Sequence, residues 1–433
     1  MKYHIITFGC QMNVHDSEKM AGILQSDNYE ETAEPDNADI IIFNTCSIRQ
    51  KAEQKFFSLL GKMKPLKKRR PDLKIAVAGC IAQQEKEAIF KRAPHVDYVI
   101  GPQNIHTIKN IIDNSSGTVI VRDNPLLTDF DFPACRKSSV SAWVNIVYGC
   151  NNFCSYCVVP YTRGRELSRP AYGILKEIQD LAGKGYKEVI LLGQNVNSYK
   201  SSLDFTGLLC EINEIKGISR IRFVTSHPKD LTEDLMYAMR DLEKVCEHIH
   251  LPLQSGSSRV LKLMNRKYTY DEYLKNVTRI REIVPDISIT SDIIAGFPQE
   301  TDEDHMNTIS AMKEIGFDGI FAFNYSSRAG TKASVMKNQV PDEVKSARLY
   351  EILALQNEIT DRKNKLLDGT LQEVLVEGPV ENDIDRQTGR TRTNKIVNFT
   401  TDHDTNIGDI ANVAISNTYR HSLEGIHYIP DTL

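Results

Sequence analysis

Within its first 80 residues the chain runs three times through a short apolar segment and then at once into a cysteine. Residues 4–8 lead to Gly9-Cys10, residues 39–43 to Asn44-Thr45-Cys46, and residues 74–78 to Gly79-Cys80. Helical patterns lie between, at 16–25, 47–63 and 83–92. This alternation predicts a parallel sheet with crossover helices and a fourth strand at 96–100. Ligands of such sheets bind outside the carboxyl ends of the strands, so Cys10, Cys46 and Cys80 are expected to converge. One such cysteine alone reads as a small buried hydrophobe. Three at the same place predict a metal cluster held by three thiolates, with one iron left open. Arg49, Lys51 and Lys55 follow Cys46; they either add positive charge that lowers thiolate pKa or form a solvated face.

A second thiol set lies in residues 143–169, where Cys150, Cys154 and Cys157 form a C-x3-C-x2-C run behind Tyr148-Gly149. Thiolates are soft ligands for zinc, copper(I) or iron–sulfur clusters, and a structural zinc normally takes four protein ligands. His227, His248 and His250 are distant and no C-x2-C partner follows, so a zinc ribbon is the weaker reading. Three cysteines suit a 4Fe-4S cluster with one iron open to a small molecule. The run follows an apolar strand (Ala142, Val144, Ile146) and includes the loop residues Asn151, Asn152 and Ser155, unlike a set of core cysteines. It resembles the radical S-adenosylmethionine (SAM) enzymes, whose open iron binds the amino and carboxylate groups of SAM.

With the first triad included, the chain resembles the methylthiotransferases within that superfamily. Gly9-Cys10-Gln11-Met12-Asn13, Asp16-Ser17-Glu18 and Asn44-Thr45-Cys46-Ser47-Ile48-Arg49 match its tRNA branch. The branch that modifies a ribosomal protein typically has Lys where Gln11-Met12 stands. The run from Val158 through Arg163, Arg165 and Arg169 to Pro170 also resembles the tRNA branch; its arginines can pair with phosphate, the SAM carboxylate or local carboxylates. Ala329 replaces the proline usual in Ser327-Arg328-Ala329-Gly330-Thr331, which leaves that loop's geometry open.

The chain has 433 residues, enough for two to four domains, with 41% apolar and 25% charged residues, as in ordinary soluble proteins. A net charge of -4 argues against a protein that is basic all over, so any nucleic-acid contact is local. The N-terminus opens as a strand, with no apolar run suited to a signal peptide or membrane span, and a cytoplasmic protein is expected. In that compartment the nine cysteines suggest metal binding or catalysis rather than disulfides.

After the second cysteine run, strands are expected at 188–192, 219–225, 247–251, 288–294 and 319–324, with helices at 170–184, 231–239, 270–283 and 301–316. An open or full parallel barrel follows, with its chemistry at the strand carboxyl ends. Gly193-Gln194-Asn195, Ser226-His227, Gln254 and Ala295-Gly296 fall there, where SAM or substrate would sit. The resemblance implies that Gly193, Gln194 and Asn195 bind the SAM amino group. It also implies that the window from Ser291 and Asp292 to Gly296 holds the ribose and adenine. Competing readings are tight turns at Gly256 and Gly296, a helix cap at His227, and buried hydrogen-bonded roles for His248 and His250. Cys210 and Cys246 read as core, and Cys135 as a free thiol.

Residues 341–367 read as one amphipathic helix with Leu349, Ile352, Leu353, Leu355, Gln356 and Ile359 as its apolar stripe. Short strands at 374–376, 396–399 and 411–415 then suggest a small antiparallel barrel. Residues 371–433 carry ten Asp and Glu against five Lys and Arg, yet Arg386, Arg390, Arg392 and Lys395 crowd together as a candidate phosphate-binding loop. A second basic run, Lys62 to Arg70, is either a solvated loop or a phosphate contact. The layout resembles the TRAM RNA-binding module.

The resemblance thus implies an α/β chain: an N-terminal Rossmann-like parallel-sheet domain (1–118), a linker (119–138), a radical SAM partial TIM barrel (139–368) and a TRAM barrel (369–433). It implies two 4Fe-4S clusters, SAM as radical source and methyl donor, and methylthiolation of carbon 2 of N6-isopentenyladenosine beside the anticodon of tRNA. Implied partners are that tRNA, a reductant such as flavodoxin or ferredoxin, and a sulfur donor, with no membrane; no catalytic side chain is assigned and a monomer is expected. Alternatives are a threonylcarbamoyladenosine or ribosomal-protein aspartate methylthiotransferase, or a noncatalytic iron–sulfur RNA-binding protein.

Overall fold

The structure is a computed structural model that describes residues 1–47, 50–111, 117–121, 132–381, 383–401 and 405–428. Arg49, the Lys51 side chain and the 122–131 part of the expected linker lie outside the described residues.

Strands β1 (Lys2–Thr7), β2 (Glu30–Glu31), β3 (Ile40–Thr45), β4 (Lys74–Gly79), β5 (Tyr98–Ile100) and β6 (Thr118–Ile120) form one parallel sheet in the order β2-β1-β3-β4-β5-β6. Helices cover both faces, so Ile40 and Ile42 pack on one side and Ile41 and Phe43 on the other. Strand β2 is Glu30-Glu31 and has no apolar run that sequence could reveal, whereas β6 is the apolar stretch Thr118-Val119-Ile120 at the start of the expected linker and carries the sheet on to Ile120. The first helix begins at Gln11 rather than residue 16, and Cys80 is itself the first residue of a helix, Cys80–Glu85.

The central domain is a six-stranded open parallel barrel. Strands β7 (Ser141–Asn145), β10 (Glu188–Leu192) and β11 (Arg220–Phe223) form one half; β12 (His248–His250), β13 (Ser288–Ala295) and β14 (Gly319–Asn324) form the other. A parallel bridge between Ile221 and Val245 joins the halves, and the hairpin β8 (Val147–Tyr148) with β9 (Leu167–Ser168) brackets the cysteine loop. Helices pack outside on one continuous core. Thr269 with Glu272, and Thr301 with Asp304, form capping boxes that fix two of the helix starts.

Two sequence expectations fail here. Cys210 is exposed, because helix Phe205–Asn213 buries Phe205, Leu208, Leu209 and Ile212 on its other side; Cys246 is buried, as expected. The long helix Asp342–Lys365 buries Lys345, Arg348, Ile352, Gln356 and Ile359, while Leu353 is 41% exposed. Polar heads occupy its inner face because they have partners there: Arg348 donates to Glu300 at 2.9 Å.

Strands β15 (Leu371–Val380), β16 (Asp383–Thr391), β17 (Ile396–Thr400), β18 (Ile410–Thr418) and β19 (Leu423–His427) close into a barrel in the order β15-β16-β17-β19-β18. It is antiparallel except for the parallel pair β17 and β19. The basic stretch expected to bind phosphate is spent on structure. Arg386 pairs with Glu424 at 2.5 Å, Arg390 with Glu377 at 3.0 Å and Arg392 with Glu247 at 2.7 Å, and Lys395 donates to Asn364 at 2.8 Å. Buried Arg220 and Arg222 of β11 donate to the carbonyls of Arg390, Thr391 and Arg392 at 2.6–2.8 Å, so the β16–β17 turn plugs one end of the open barrel. In the other basic run Lys67, Arg69 and Arg70 pair with Asp97, Asp36 and Asp39, leaving Lys62, Lys64 and Lys68 exposed.

Candidate active site

The register of the first sheet sets Thr7 beside Asn44 and Thr45 beside Gly79, so Cys10, Cys46 and Cys80 emerge at one edge. Polar motif residues tie these loops together. Asn13 Nδ2 donates to the Thr45 carbonyl (2.8 Å), and Asn44 Nδ2 to the Asn13 carbonyl (2.8 Å) and Ser17 Oγ (2.9 Å). Gly9 has φ +114°, and a Cβ there would stand 2.2 Å from Cys46 Cβ, so the backbone's approach to Cys46 requires glycine. A hydrogen bond with Cys46 and the charge of Arg163 bring the Cys10 thiol down to about 6 despite its burial. Arg163 is buried against Asp16 at 2.7 Å, and thereby also joins the second domain to the first.

The second loop is held by a turn that sequence reading did not single out. Ser155 donates its N–H to the Met264 carbonyl (2.9 Å) and its hydroxyl to the Leu263 carbonyl (2.9 Å), and Asn265 Nδ2 donates to the Phe153 carbonyl (2.8 Å). Buried Arg266 reaches Cys154 Sγ at 3.4 Å and Tyr268 Oη at 2.9 Å. Burial, reinforced by the charges of Cys154 and Cys150, pushes the Cys157 thiol up to about 12. Soft thiols backed by arginine suit an iron–sulfur cluster, and among the described residues no three His, Cys, Asp or Glu side chains close on a single ion.

Both domains open onto one cavity of about 340 Å³. Cys10, Gln11, Met12 and Cys46 line it from the first domain; Gly193, Gln194, Thr225, His250, Thr290, Asp292, Phe321 and Phe323 line it from the open barrel; Asn394 reaches it from the plug. Of the residues expected to contact SAM, this lining contains Gly193, Gln194 and Asp292. The others have different surroundings. Asn195 Nδ2 donates to Asp230 (2.7 Å), and Ser291 Oγ accepts from Leu253 N–H (2.8 Å) and donates to the Leu251 carbonyl (3.0 Å). His227 Nδ1 accepts from Lys229 N–H and caps the 3-10 turn Pro228–Asp230; burial, with Arg266 and Lys229 nearby, lowers its pKa to about 2. Ser226 is buried, Gln254 has φ +72° with its carbonyl bonded to Ile294 N–H, and Gly296 lies against Lys345. His248 and His250 do find hydrogen-bond partners, yet both also line the cavity. The period-2 alternation of His248-His250, Thr290-Asp292 and Phe321-Phe323 was the available signal for this lining.

A three-thiol loop at the top of an open parallel barrel defines a radical SAM enzyme, and the Radical SAM superfamily model matches residues 144–312. Its domain binds SAM and a 4Fe-4S cluster. The Uncharacterized protein family UPF0004 model matches residues 2–101 and the TRAM domain model residues 365–427. A tRNA-2-methylthio-N(6)-dimethylallyladenosine synthase from Thermodesulfovibrio yellowstonii is 58% identical over 98% of this chain and 97% of its own. One from Thermoanaerobacter sp. is 49% identical over 98% and 92%. The radical SAM methyltransferase TsrM from Kitasatospora setae shares the fold, with a TM-score of 0.58 at 12% identity over 77% of this chain and 74% of that one. The chain belongs to the tRNA-2-methylthio-N(6)-dimethylallyladenosine synthase family and is an enzyme that transfers a sulfur-containing group. Among the described residues no helix is long and apolar enough to cross a membrane.

Proposed function

We propose that this enzyme installs a methylthio group on carbon 2 of N6-isopentenyladenosine beside the anticodon of tRNA, in the cytoplasm. The observation that carries the reading is the single cavity shared by Cys10 and Cys46 of one domain and Gly193, Gln194 and Asp292 of the other. Cys150, Cys154 and Cys157 would hold the cluster that binds SAM; Cys10, Cys46 and Cys80 would hold a second 4Fe-4S cluster. When bound, these groups supply a radical able to open an unactivated aromatic C–H bond and the sulfur that replaces the hydrogen.

The chain's own residues do the positioning. Arg266 faces Cys154, and Arg163 faces Cys10, offsetting negative charge at each thiol set. Asp292 supplies a hydrogen-bond acceptor to SAM within the cavity, and the backbone at Gly193 and Gln194 borders it. The target base leaves its stack to enter. A small flavin or iron–sulfur protein, flavodoxin or ferredoxin, supplies electrons, and a separate donor renews the sulfur. Reduced, reconstituted protein given SAM and isopentenylated tRNA is expected to yield a methylthio nucleoside by mass spectrometry. Cys10→Ala is expected to abolish that product while 5′-deoxyadenosine still forms. A wild-type protein that cleaves SAM and leaves the adenosine unchanged contradicts the reading.

A further inference from the structure

Phe153 lies inside the second cysteine run, one residue before Cys154, and has φ +49°, a left-handed conformation that a large aromatic residue rarely adopts. Strain of this kind collects at functional sites. Its half-buried ring meets Tyr161 edge-on, with centroids 6.0 Å apart, and carries the Arg165 guanidinium 4.3 Å from its centre. Tyr161 is 57% exposed, and Arg165 is exposed beside it. Asn265 Nδ2 donates to the Phe153 carbonyl (2.8 Å), and its Oδ1 accepts from exposed Lys267 (2.7 Å), a second residue with positive φ. Two aromatic rings and two cations thus form one connected surface on the backbone of the cysteine loop.

Its charge limits what can cover it. Arg165 rests on a neutral ring and Lys267 on a neutral amide, so both charges stay uncompensated. The neighbouring carboxylate of Glu166 is half-buried and bonded to Ser198. A third exposed cation, Lys332, precedes Ala333, whose N–H donates to the Ser155 carbonyl of the same loop (2.8 Å). On a chain of net charge -4, this local excess of positive charge fits an acidic partner. Neither Phe153, Tyr161, Arg165 nor Lys267 lines the cavity bordered by Cys10, Cys46 and Gly193, so a base stacked on them would lie outside it. What the radical reading requires at this loop is an electron, one from outside for each SAM cleaved. A small surface with Tyr and Arg at its centre suits the short-lived encounters of electron carriers.

We infer that Phe153, Tyr161, Arg165 and Lys267 form the docking surface for the acidic one-electron carrier that reduces the cluster held by Cys150, Cys154 and Cys157. The inference rests on the function proposed above and deepens it by giving the reductant a place on the molecule. The carrier's flavin or iron–sulfur centre loses one electron and is oxidised, the cluster gains it, and no bond is made or broken at the surface. The cations steer the carrier in, and the rings cover the contact from water.

The test uses reconstituted full-length enzyme with flavodoxin as the probe. Affinity for oxidised flavodoxin is measured without SAM or RNA, and 5′-deoxyadenosine formation is driven either by reduced flavodoxin or by dithionite, which needs no docking surface. Tyr161→Ala, Arg165→Glu and Lys267→Glu are each expected to weaken flavodoxin binding roughly 5- to 20-fold. Flavodoxin-driven SAM cleavage is expected to fall with it, while iron content and dithionite-driven cleavage stay at the wild-type level. Added salt is expected to weaken wild-type binding more than that of Arg165→Glu. Unchanged flavodoxin affinity in all three variants overturns the inference. So does an equal fall with both reductants, which assigns these side chains to holding the loop, and so does a loss of affinity for the anticodon stem-loop alone, which assigns the surface to RNA. Wild-type enzyme that cleaves SAM with dithionite but leaves isopentenylated tRNA unchanged overturns the substrate reading and leaves the docking surface standing.

Discussion

Gly9 illustrates how little room the first thiol set has. Its φ of +114° and the 2.2 Å separation between an added Cβ and Cys46 Cβ mean that Gly9→Ala must displace the loop carrying Cys10. The backbone strain alone costs about 1–3 kcal/mol. The expected result is loss of first-domain iron with retention of the iron held by Cys150, Cys154 and Cys157. Iron analysis would show it, together with SAM cleavage that outlasts methylthio product. At this scale the cysteines themselves were legible, because each directly follows an apolar run. Arg266 was not, since it acts on Cys154 from a turn more than a hundred residues later and no periodicity links the two.

Among the elements, helix Ala171–Gly183 is fastened to the first domain through Glu177. Its carboxylate accepts from Arg136 at 2.7 Å and Arg169 at 2.8 Å and lies 3.8 Å from Lys19 of the first helix. Burial alone would raise the Glu177 pKa; Lys19, Arg169, His15 and Arg136 more than reverse this and hold it at about 2. A carboxyl group depressed from 4.5 to about 2 contributes stability on the order of 3 kcal/mol above its ordinary pKa, lost as pH falls from 4.5 toward 2. Glu177→Gln is expected to destabilise the neutral-pH protein by about 3–5 kcal/mol, leaving buried arginines without their carboxylate. It is also expected to flatten the acid limb of stability against pH, which denaturant titration at several pH values would measure. Cys210 and Leu353 were misplaced although the helical period held the answer: Phe205, Leu208, Leu209 and Ile212 define a face that excludes Cys210. Leu353 misled because the inner stripe of its helix is built from Lys345, Arg348 and Gln356, whose partners lie on other elements.

The whole molecule depends on its three parts meeting at one cavity. The C-terminal barrel contributes through its plug, where Arg392 binds Glu247 and the Val245 carbonyl at 2.7 Å. Arg392→Ala is expected to cost about 2–3 kcal/mol and to speed hydrogen exchange across β16 and β17, with the barrel core protected as before. The order of the domains was legible because strand–helix alternation changes to short strands after residue 369. The plug was hidden because β16 has no apolar alternation, and its arginines read as solvent-facing until their partners in another domain are known. The most direct test is electron paramagnetic resonance of the fully reconstituted, reduced enzyme, compared with Cys10→Ala and Cys154→Ala. If the cluster held by Cys150, Cys154 and Cys157 serves the same cavity that Cys10 and Cys46 border, the wild-type spectrum is expected to show magnetic coupling between two clusters, absent from either variant. A wild-type spectrum equal to the sum of the two variants' spectra would contradict a shared site.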